Sequence, residues 1–521
     1  MTSVELTYRE RLDLLRATKL EQVEEKRRLR GPQDSDEQGL VPLPPESAEV
    51  VEAMSGSGVL VKDLILKGFE PESNHPSGGF FGAKAVGENF RRLLEVHPTH
   101  LNPVNSMAGV YMVNFNSYRK PGWNPDFDYS HLQREQEFYG LDHGIGGGQH
   151  FCPDLALGLK LGWGGLLQKV RYYRHENADA GDFYDGLEDV ITGVQDWVRR
   201  HAEAARSMAE AEQRPQLREN LATLADICAR QVCAPPETFR EACQWLVFFQ
   251  AVAKMYNGSG EWGQLDKLLR PYYERDSAAG LLTDDEAVFH LACLLLSETA
   301  YIQLGGPDAD GQDLTSRVSF LVLEAVHRLK TPANLAVRVG QGLSEELFRR
   351  GLEILCEDRM GFPKFVGDRA VTEGFMRNGY PVEVARTRTY AGCHWLAIPG
   401  REYGMCDMIK IDLARVFDLA FWEATEAPCA AGDEPPSVAD LWLRFERHLR
   451  RAVEVTAEGI DFHLAHMHEV FPELFLDLFC HGPVEKGLDA SHGGVEVYAI
   501  GVDASSLATA ADSFAALEQR V

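Results

Sequence analysis

A chain of 521 residues with 45% hydrophobic content is long enough to bury a large core. Its 79 acidic residues outnumber 52 basic ones, and the net charge of −27 argues against a nucleic-acid partner, because neutralising phosphates requires a basic surface. No run approaches the ~18 consecutive apolar residues of a membrane span, and the charged N-terminus lacks the apolar stretch of a signal peptide. We therefore expect no membrane partner.

The cysteine pattern indicates a reducing compartment. The ten cysteines have no regular spacing, which is typical of free thiols in a cytoplasmic protein. No Cys-x3-Cys-x2-Cys pattern occurs, so we expect no iron–sulfur cluster of the chain's own and no tightly bound cofactor.

Helical periodicity dominates the chain, with short apolar runs between the helices. The predicted helices cover 9–30, 154–170, 183–206, 237–256, 284–300, 345–356 and 441–459. The predicted strands cover 335–339, 363–366 and 495–500, and the predicted loops cover 31–37, 71–79, 144–148 and 427–436.

Buried strands alternating with helices favour an α/β fold with parallel strands. Pro235-Pro236 predicts the start of one helix, since proline suits a first helical turn. No linker forces a boundary, so we expect one domain over 1–521, with a helical layer over 1–100.

Gly392-Cys393 stands in the middle of the run Thr-Tyr-Ala-Gly-Cys-His-Trp at 389–395, where glycine allows a sharp backbone turn. Other segments flank it in a fixed order. They are Phe-Arg-Glu-Ala-Cys-Gln at 239–244, Leu-Asp-Lys at 265–267, Pro-Tyr-Tyr-Glu-Arg-Asp at 271–276, Gly-Phe-Pro at 361–363, Pro-Gly-Arg-Glu-Tyr at 399–403, Ile-Asp-Leu-Ala-Arg-Val-Phe-Asp-Leu-Ala at 411–420, Gly-Leu-Asp at 487–489 and Ala-Thr-Ala-Ala-Asp-Ser-Phe-Ala-Ala-Leu at 508–517.

In this order the segments resemble those of glycyl radical enzymes of the pyruvate formate-lyase and glycerol dehydratase type. Upstream, Gln-His-Phe-Cys-Pro-Asp at 149–154 is similar to the family's Gly-His-x-x-Pro-Asp helix start. The resemblance implies an α/β fold: a helix-rich, ten-stranded barrel of two antiparallel half-barrels surrounded by helices. It also implies that Cys393 lies on an internal finger loop.

The resemblance implies that Cys393 is catalytic and carries a thiyl radical. Such a radical abstracts hydrogen from activated C–H bonds, because these and the S–H bond have similar strengths. The substrate would be a small polar or aromatic molecule that undergoes lyase-type cleavage of a C–C, C–O or C–N bond. The alternative is that Cys393 is an ordinary buried cysteine, the commonest state of a free thiol.

Four further residues are candidates for substrate binding. His150 lies at the predicted helix start, His394 adjoins the cysteine, and Asp407 resembles an aspartate that contacts substrate hydroxyls in the family's dehydratases. Trp395 stands where many members carry a glutamate base, and it could stack on an aromatic or cationic substrate. The alternatives are a helix cap or core group for His150 and a solvated carboxylate for Asp407.

The family's radical glycine lies in an Arg-Val-x-Gly-Tyr loop beyond the Ala-Asp-Ser helix, and the sequence ends at Val521 without that loop. Gly379, in Arg-Asn-Gly-Tyr, is interpreted as a helix C-cap, and Gly340 as part of a strand. We therefore expect the cysteine-bearing large subunit of a split enzyme. A small glycyl radical protein would supply the radical in trans, after activation by a radical-SAM activating enzyme.

The alternative from a different class is a non-catalytic barrel homologue that acts as a binding or regulatory module. The sequence leaves open whether the chain forms a homodimer.

His463, His466 and His468 suggest a metal site, but no third spaced ligand completes one, and a polar helix edge is the favoured interpretation. The glycine-rich 144–148 is interpreted as a flexible loop, because it lacks the residues of a phosphate-binding motif.

Overall fold

The computed structural model describes residues 5–30, 71–109, 123–141, 152–257, 261–297, 300–331, 333–392, 395–405, 409–426 and 437–520. Its helices are α1 (Tyr8–Arg30), α2 (Ala83–Val96), α3 (Ser130–Tyr139), α4 (Leu155–Glu176), α5 (Gly181–Ala211), α6 (Pro215–Gln231), α7 (Phe239–Asn257), α8 (Leu265–Ala278), α9 (Asp284–Ser297), α10 (Arg317–Leu329), α11 (Glu345–Asp358), α12 (Asp368–Arg377), α13 (Val382–Arg386), α14 (Leu413–Glu426), α15 (Val438–Val470), α16 (Leu474–Asp477), α17 (Pro483–Lys486) and α18 (Leu507–Arg520).

The strands in the same residues are short, and most pair in parallel. They are β1 (Glu261–Gln264), β2 (Tyr301–Leu304), β3 (Asn334–Val339), β4 (Lys364–Gly367), β5 (Thr389–Ala391), β6 (Trp395–Ala397), β7 (Glu402–Met405), β8 (Lys410–Asp412), β9 (Val497–Ile500) and β10 (Asp503–Ser505).

The first four strands form one parallel sheet in chain order. Ile302 pairs with Leu335, and Val337 with Phe365. Helices α8 to α11 run between successive strands, as parallel connections require. Leu335 and Val337 of β3 are buried in the main hydrophobic core. Because side chains alternate along a strand, Arg338 faces the opposite side of the sheet.

Asp266, which follows β1 directly, holds β1 and β2 together through hydrogen bonds to its side chain. Its Oδ1 accepts hydrogen bonds from Gln264 Nε2 (2.7 Å) and from the Lys267 amide (2.9 Å). Its Oδ2 accepts from the Gly305 amide just beyond β2 (2.9 Å) and from Ser319 Oγ on α10 (2.6 Å). The side chain is fully buried, so one carboxylate joins two strands and two helices out of reach of water.

The remaining strands form three pairs: β7 with β9 in parallel, β8 with β10 in parallel, and β5 with β6 antiparallel. Helices surround these strands, so the fold is of the expected helix-rich α/β class. Within the described residues the strands form a four-stranded sheet and three pairs, and a continuous ten-stranded barrel is not traced.

A second, smaller core joins segments that are distant in sequence. Helices α3, α14, α15 and α18 contribute its buried side chains. Phe417 of α14 meets Phe514 of α18 edge-to-face, with ring centroids 4.9 Å apart. These two helices carry the 411–420 and 508–517 segments, so the apolar residues of both segments pack on each other.

The predicted helices and strands are confirmed, with differences at their ends. Pro235-Pro236 does not start a helix; α7 begins at Phe239 instead. The reason is a cap: Glu241 Oε2 accepts hydrogen bonds from the amides of Glu237 and Thr238. The predicted helix at 154–170 is present but breaks at Gly162, where φ is 61°.

The predicted loop at 71–79 contains no helix or strand, whereas those at 31–37, 144–148 and 427–436 lie outside the described residues. Gly379 lies just beyond the end of α12 with φ 89°, as expected of a helix C-terminus. In the part of the chain that the structure describes, no helix has the length and apolar character needed to cross a membrane.

Candidate active site

A short antiparallel hairpin brackets the cysteine position. Thr389 pairs with Ala397, and Ala391 with Trp395, so residues 392–394 connect the two strands. Gly392 opens the connection with φ 74°, a left-handed conformation that a side chain would strain. Gly392 therefore stands where the chain leaves β5 at the end of the hairpin.

The hairpin packs against the first sheet through β5, which contacts β1 and β2. Gly263 of β1 faces it: a Cβ added there would lie 3.2 Å from Thr389 Oγ1. Arg338 of β3 reaches the residues just before this strand, and its Nη1 donates hydrogen bonds to the Arg386 carbonyl (2.8 Å) and the Arg388 carbonyl (2.5 Å). Three strands of the sheet thus position the hairpin.

Cys152 lies against the base of the hairpin. Its Sγ is 3.1 Å from Thr389 Oγ1, and it packs with Ala391 and Ala397. Burial raises the pKa of the Cys152 thiol, the charges of Glu261 and Glu402 raise it further, and the bond to Thr389 opposes them. This thiol therefore stays protonated at neutral pH and is no candidate for a thiolate nucleophile.

A buried ion pair fixes the start of the hairpin. Arg388 Nη1 lies 3.1 Å from Glu402 Oε2 of β7 and donates to the Leu396 carbonyl at 3.1 Å. Both side chains are at most 2% exposed, and the guanidinium also lies over the Phe375 ring. Burial raises the pKa of Glu402 although the Arg388 charge opposes it. The pair therefore serves positioning, since burial costs both charges their hydration.

Trp395 is half-buried, and its ring lies on the backbone of Gly501, in the connection between β9 and β10. A Cβ added at Gly501 would lie 2.3 Å from Trp395 Cζ3, too close for any real contact. The absence of a side chain at 501 therefore sets the position of the indole. Stacking of this ring on a substrate stays a prediction.

Gly501→Ala is expected to destabilise the protein by about 1–3 kcal/mol, because the new methyl group must displace the Trp395 ring. Thermal or urea melts measure this cost. The matched control is the same substitution in a Trp395→Leu background, where the loss should fall to less than half. Equal losses in the two backgrounds would show that the ring does not rest on Gly501.

The other predicted site residues, His150, Cys393, His394 and Asp407, lie outside the described residues, and their roles stay predictions. The segment that carries His150 reaches the hairpin at Cys152, two residues further on.

Sequence reasoning missed the residues that hold the hairpin: Cys152, Arg338, Arg388 and Glu402. Arginine and glutamate are normally surface residues, so their burial in a pair cannot be read from the chain alone. One feature of the sequence could have pointed to Glu402: it lies in the Pro-Gly-Arg-Glu-Tyr segment directly after the hairpin.

The three histidines of α15 have separate partners. His463 is fully buried, with Nε2 3.0 Å from the Tyr403 hydroxyl, so a polar helix edge was the wrong interpretation for it. His466 packs on Phe127, and His468 stacks on His492. Among the described residues, no group of three or more potential ligands could hold a metal ion.

Comparison of the sequence with known protein families assigns the chain to one of them. The sequence profile of the pyruvate formate lyase-like family matches residues 132–521, which includes the hairpin and both cores' later helices. The chain belongs to the pyruvate formate lyase-like family of glycyl radical enzymes.

Individual relatives of this pyruvate formate lyase-like chain are distant. It is 25% identical over 426 residues to (2S)-3-sulfopropanediol dehydratase of Klebsiella oxytoca, a stretch that covers 73% of the chain and 51% of that protein. It is 27% identical over 273 residues to isethionate sulfite-lyase of Nitratidesulfovibrio vulgaris, covering 47% of the chain and 33% of the relative. The chain thus spans about half or less of the length of the relatives it matches.

Solved structures support the fold of this pyruvate formate lyase-like chain. The glycerol-bound B12-independent glycerol dehydratase of Clostridium butyricum superposes with a TM-score of 0.75 at 18% identity, over 100% of this chain and 72% of that one. A glycyl radical enzyme of Archaeoglobus fulgidus gives 0.73 at 20% identity, over 87% and 69%. At such identities the likeness shows the fold alone.

Proposed function

We propose that this chain uses a thiyl radical at Cys393 to cleave a C–O, C–N or C–C bond of a small polar substrate, as a lyase of the glycyl radical type. The observation that carries the proposal is the β5–β6 hairpin, whose three-residue connection contains Gly392 and Cys393. Strands β1 to β3 and the Arg388–Glu402 pair fix this hairpin at its base. Such rigid support suits a residue that must meet one C–H bond of the substrate.

The Cys393 thiol would give its hydrogen atom to a glycyl radical supplied from outside this chain, which would leave a thiyl radical on the Cys393 sulfur. The Cys393 sulfur then takes a hydrogen atom from a substrate carbon, which reforms the S–H bond and leaves the unpaired electron on that carbon. The bond from the adjacent carbon to the leaving group breaks. In a hydroxylated substrate the leaving group departs with the proton of the hydroxyl on the radical carbon, which becomes a carbonyl. Cys393 returns its hydrogen atom to the product radical, so the thiyl state is regenerated and no net electron is consumed.

The surroundings of the hairpin support a polar substrate that is shielded from bulk water. Glu261 of β1 is 1% exposed, and its charge acts on the Cys152 thiol, so its carboxylate lies on the hairpin side of the sheet. Arg338 is 3% exposed and reaches the start of the hairpin through the Arg388 carbonyl. In the proposed site His150, His394, Trp395 and Asp407 bind the substrate. The relatives' names, a dehydratase and a sulfite-lyase, are consistent with polar hydroxylated or sulfonated molecules.

The proposal includes the radical's source: a separate small glycyl radical protein, activated by a radical-SAM enzyme, that docks on this chain.

The test is anaerobic reconstitution. The purified chain is mixed with an activated glycyl radical protein and offered a panel of probes: glycerol, 1,2-propanediol, trans-4-hydroxy-L-proline and isethionate. We expect turnover of at least one probe only when both proteins are present, and electron paramagnetic resonance to show the radical in the mixture.

Turnover by the isolated chain in air would contradict the proposal, since glycyl radicals are cleaved by oxygen. Substrate binding without turnover, in a mixture that carries the radical, would favour the non-catalytic binding or regulatory module.

A further inference from the structure

A cavity lies where the start of α1 meets α6 and α7, and no residue of the hairpin lines it. Its volume is about 500 Å³, within the range of small-molecule sites. The polar side chains that line it include Arg11, Gln216, Glu219, Asn220, Thr223 and Arg240.

Arg11 reaches this cavity from α1 with its guanidinium largely buried. The side chain is 5% exposed, and Nε donates to the Val104 carbonyl at 2.8 Å. The guanidinium carbon lies 4.4 Å from the centre of the Phe289 ring. Nη2 is buried and has no hydrogen-bond partner among the described residues. Its neighbours are thus a carbonyl and an aromatic face, both uncharged.

Arg240 approaches from α7, and its hydrogen-bond acceptors among the described residues are also neutral. Nε donates to the Ser106 carbonyl at 3.2 Å, and Nη2 donates to Asn220 Oδ1 at 3.0 Å. Burial and the positive charge of Arg11 together lower the pKa of Arg240 to about 10. The two guanidinium groups therefore lie close enough to repel each other.

No counter-ion offsets these charges in the part of the chain that the structure describes. Neither arginine has a carboxylate oxygen within ion-pair distance there, although most other arginines of the helical layers do. Glu219 lines the cavity, but its side chain is exposed. Glu286 instead accepts a hydrogen bond from Tyr8 at 3.1 Å. Burying two cations without an anion is costly, which points to a ligand that supplies the negative charge.

We propose that this cavity binds a phosphate group, held by Arg11 and Arg240. Guanidinium groups suit phosphate oxygens because their planar N–H forks donate pairs of charge-assisted hydrogen bonds. The volume exceeds what inorganic phosphate needs, so the ligand is either free phosphate or a small phosphate monoester. The site is independent of the chemistry at the hairpin.

The test measures thermal melts of the full chain against phosphate concentration, with sodium chloride adjusted to keep the ionic strength constant. We expect a saturable rise in Tm with phosphate, because a ligand that binds only the folded state stabilises it. In Arg240→Met and in Arg11→Met, the apparent Kd should rise at least about tenfold. Arg270→Met removes an exposed arginine that pairs with Glu274, and it should keep the wild-type affinity.

A parallel arm with glycerol 3-phosphate distinguishes the two sources: tighter binding than inorganic phosphate assigns the cavity to a phosphorylated metabolite. The proposal is overturned if phosphate raises Tm no more than chloride does. It is equally overturned if either Arg240→Met or Arg11→Met folds and retains the wild-type Kd for phosphate.

Discussion

Cys393→Ser is expected to reduce turnover below detection while leaving the fold nearly intact. Serine is close in size to cysteine, so stability should fall by no more than about 1–2 kcal/mol, the cost of a mismatched polar group. The O–H bond is too strong for serine to exchange hydrogen atoms as the thiol does. The measurement is product formation with the activated glycyl radical protein, beside a thermal melt.

Two further cysteines provide matched controls. Cys406→Ser changes a thiol outside the Gly-Cys pair and should keep most activity. Cys152→Ser changes a thiol that contacts Thr389 at the base of the hairpin. The serine hydroxyl can keep this hydrogen bond, so this variant should also keep most activity. If Cys393→Ser retains substantial turnover, or if either control is the inactive variant, the radical cysteine has been wrongly assigned.

Asp266→Ala is expected to destabilise the protein by at least ~3 kcal/mol, because it removes the acceptor of four hydrogen bonds in a fully buried place. The donors left without an acceptor include the buried Gly305 amide and the buried Ser319 hydroxyl. Chemical denaturation measures the loss as a shift in the unfolding midpoint at constant slope.

The control is Ser319→Ala, which removes one of the four bonds and should cost about 1 kcal/mol. Asp266→Asn, which keeps one acceptor oxygen, should fall between the two. A midpoint for Asp266→Ala that matches Ser319→Ala would show that the carboxylate does not join β1, β2 and α10 as described.

The sequence was most informative where local chemistry decides the structure. Periodic apolar residues predicted the long helices, and the apolar run at 335–339 predicted β3. The helix start at 235–236 was wrong because the capping carboxylate, Glu241, lies downstream of the prolines. A proline indicates where a helix is tolerated, whereas the hydrogen bonds of the cap decide where it begins.

The site was predictable only in part. The order of short segments singled out the Gly-Cys pair, and the structure shows that strands β5 and β6 flank it in sequence. The role of Cys393 stays a prediction. The parts that hold the hairpin were not predictable, because they come from β1, β3, β7 and the segment at Cys152. Their proximity depends on the packing of the whole sheet, and no local pattern encodes a contact between Thr389 and Cys152 or between Arg388 and Glu402.

The contact between Trp395 and Gly501 makes two distant positions interdependent in evolution. A homologue with a small residue or glutamate in place of Trp395 would leave space above 501, and a larger side chain there would no longer be excluded. Among homologues these two positions should therefore change together, with glycine at 501 retained wherever tryptophan occupies 395. Redesign of the residue after the Gly-Cys-His run should accordingly vary both positions in one library, since single substitutions sample only mismatched pairs.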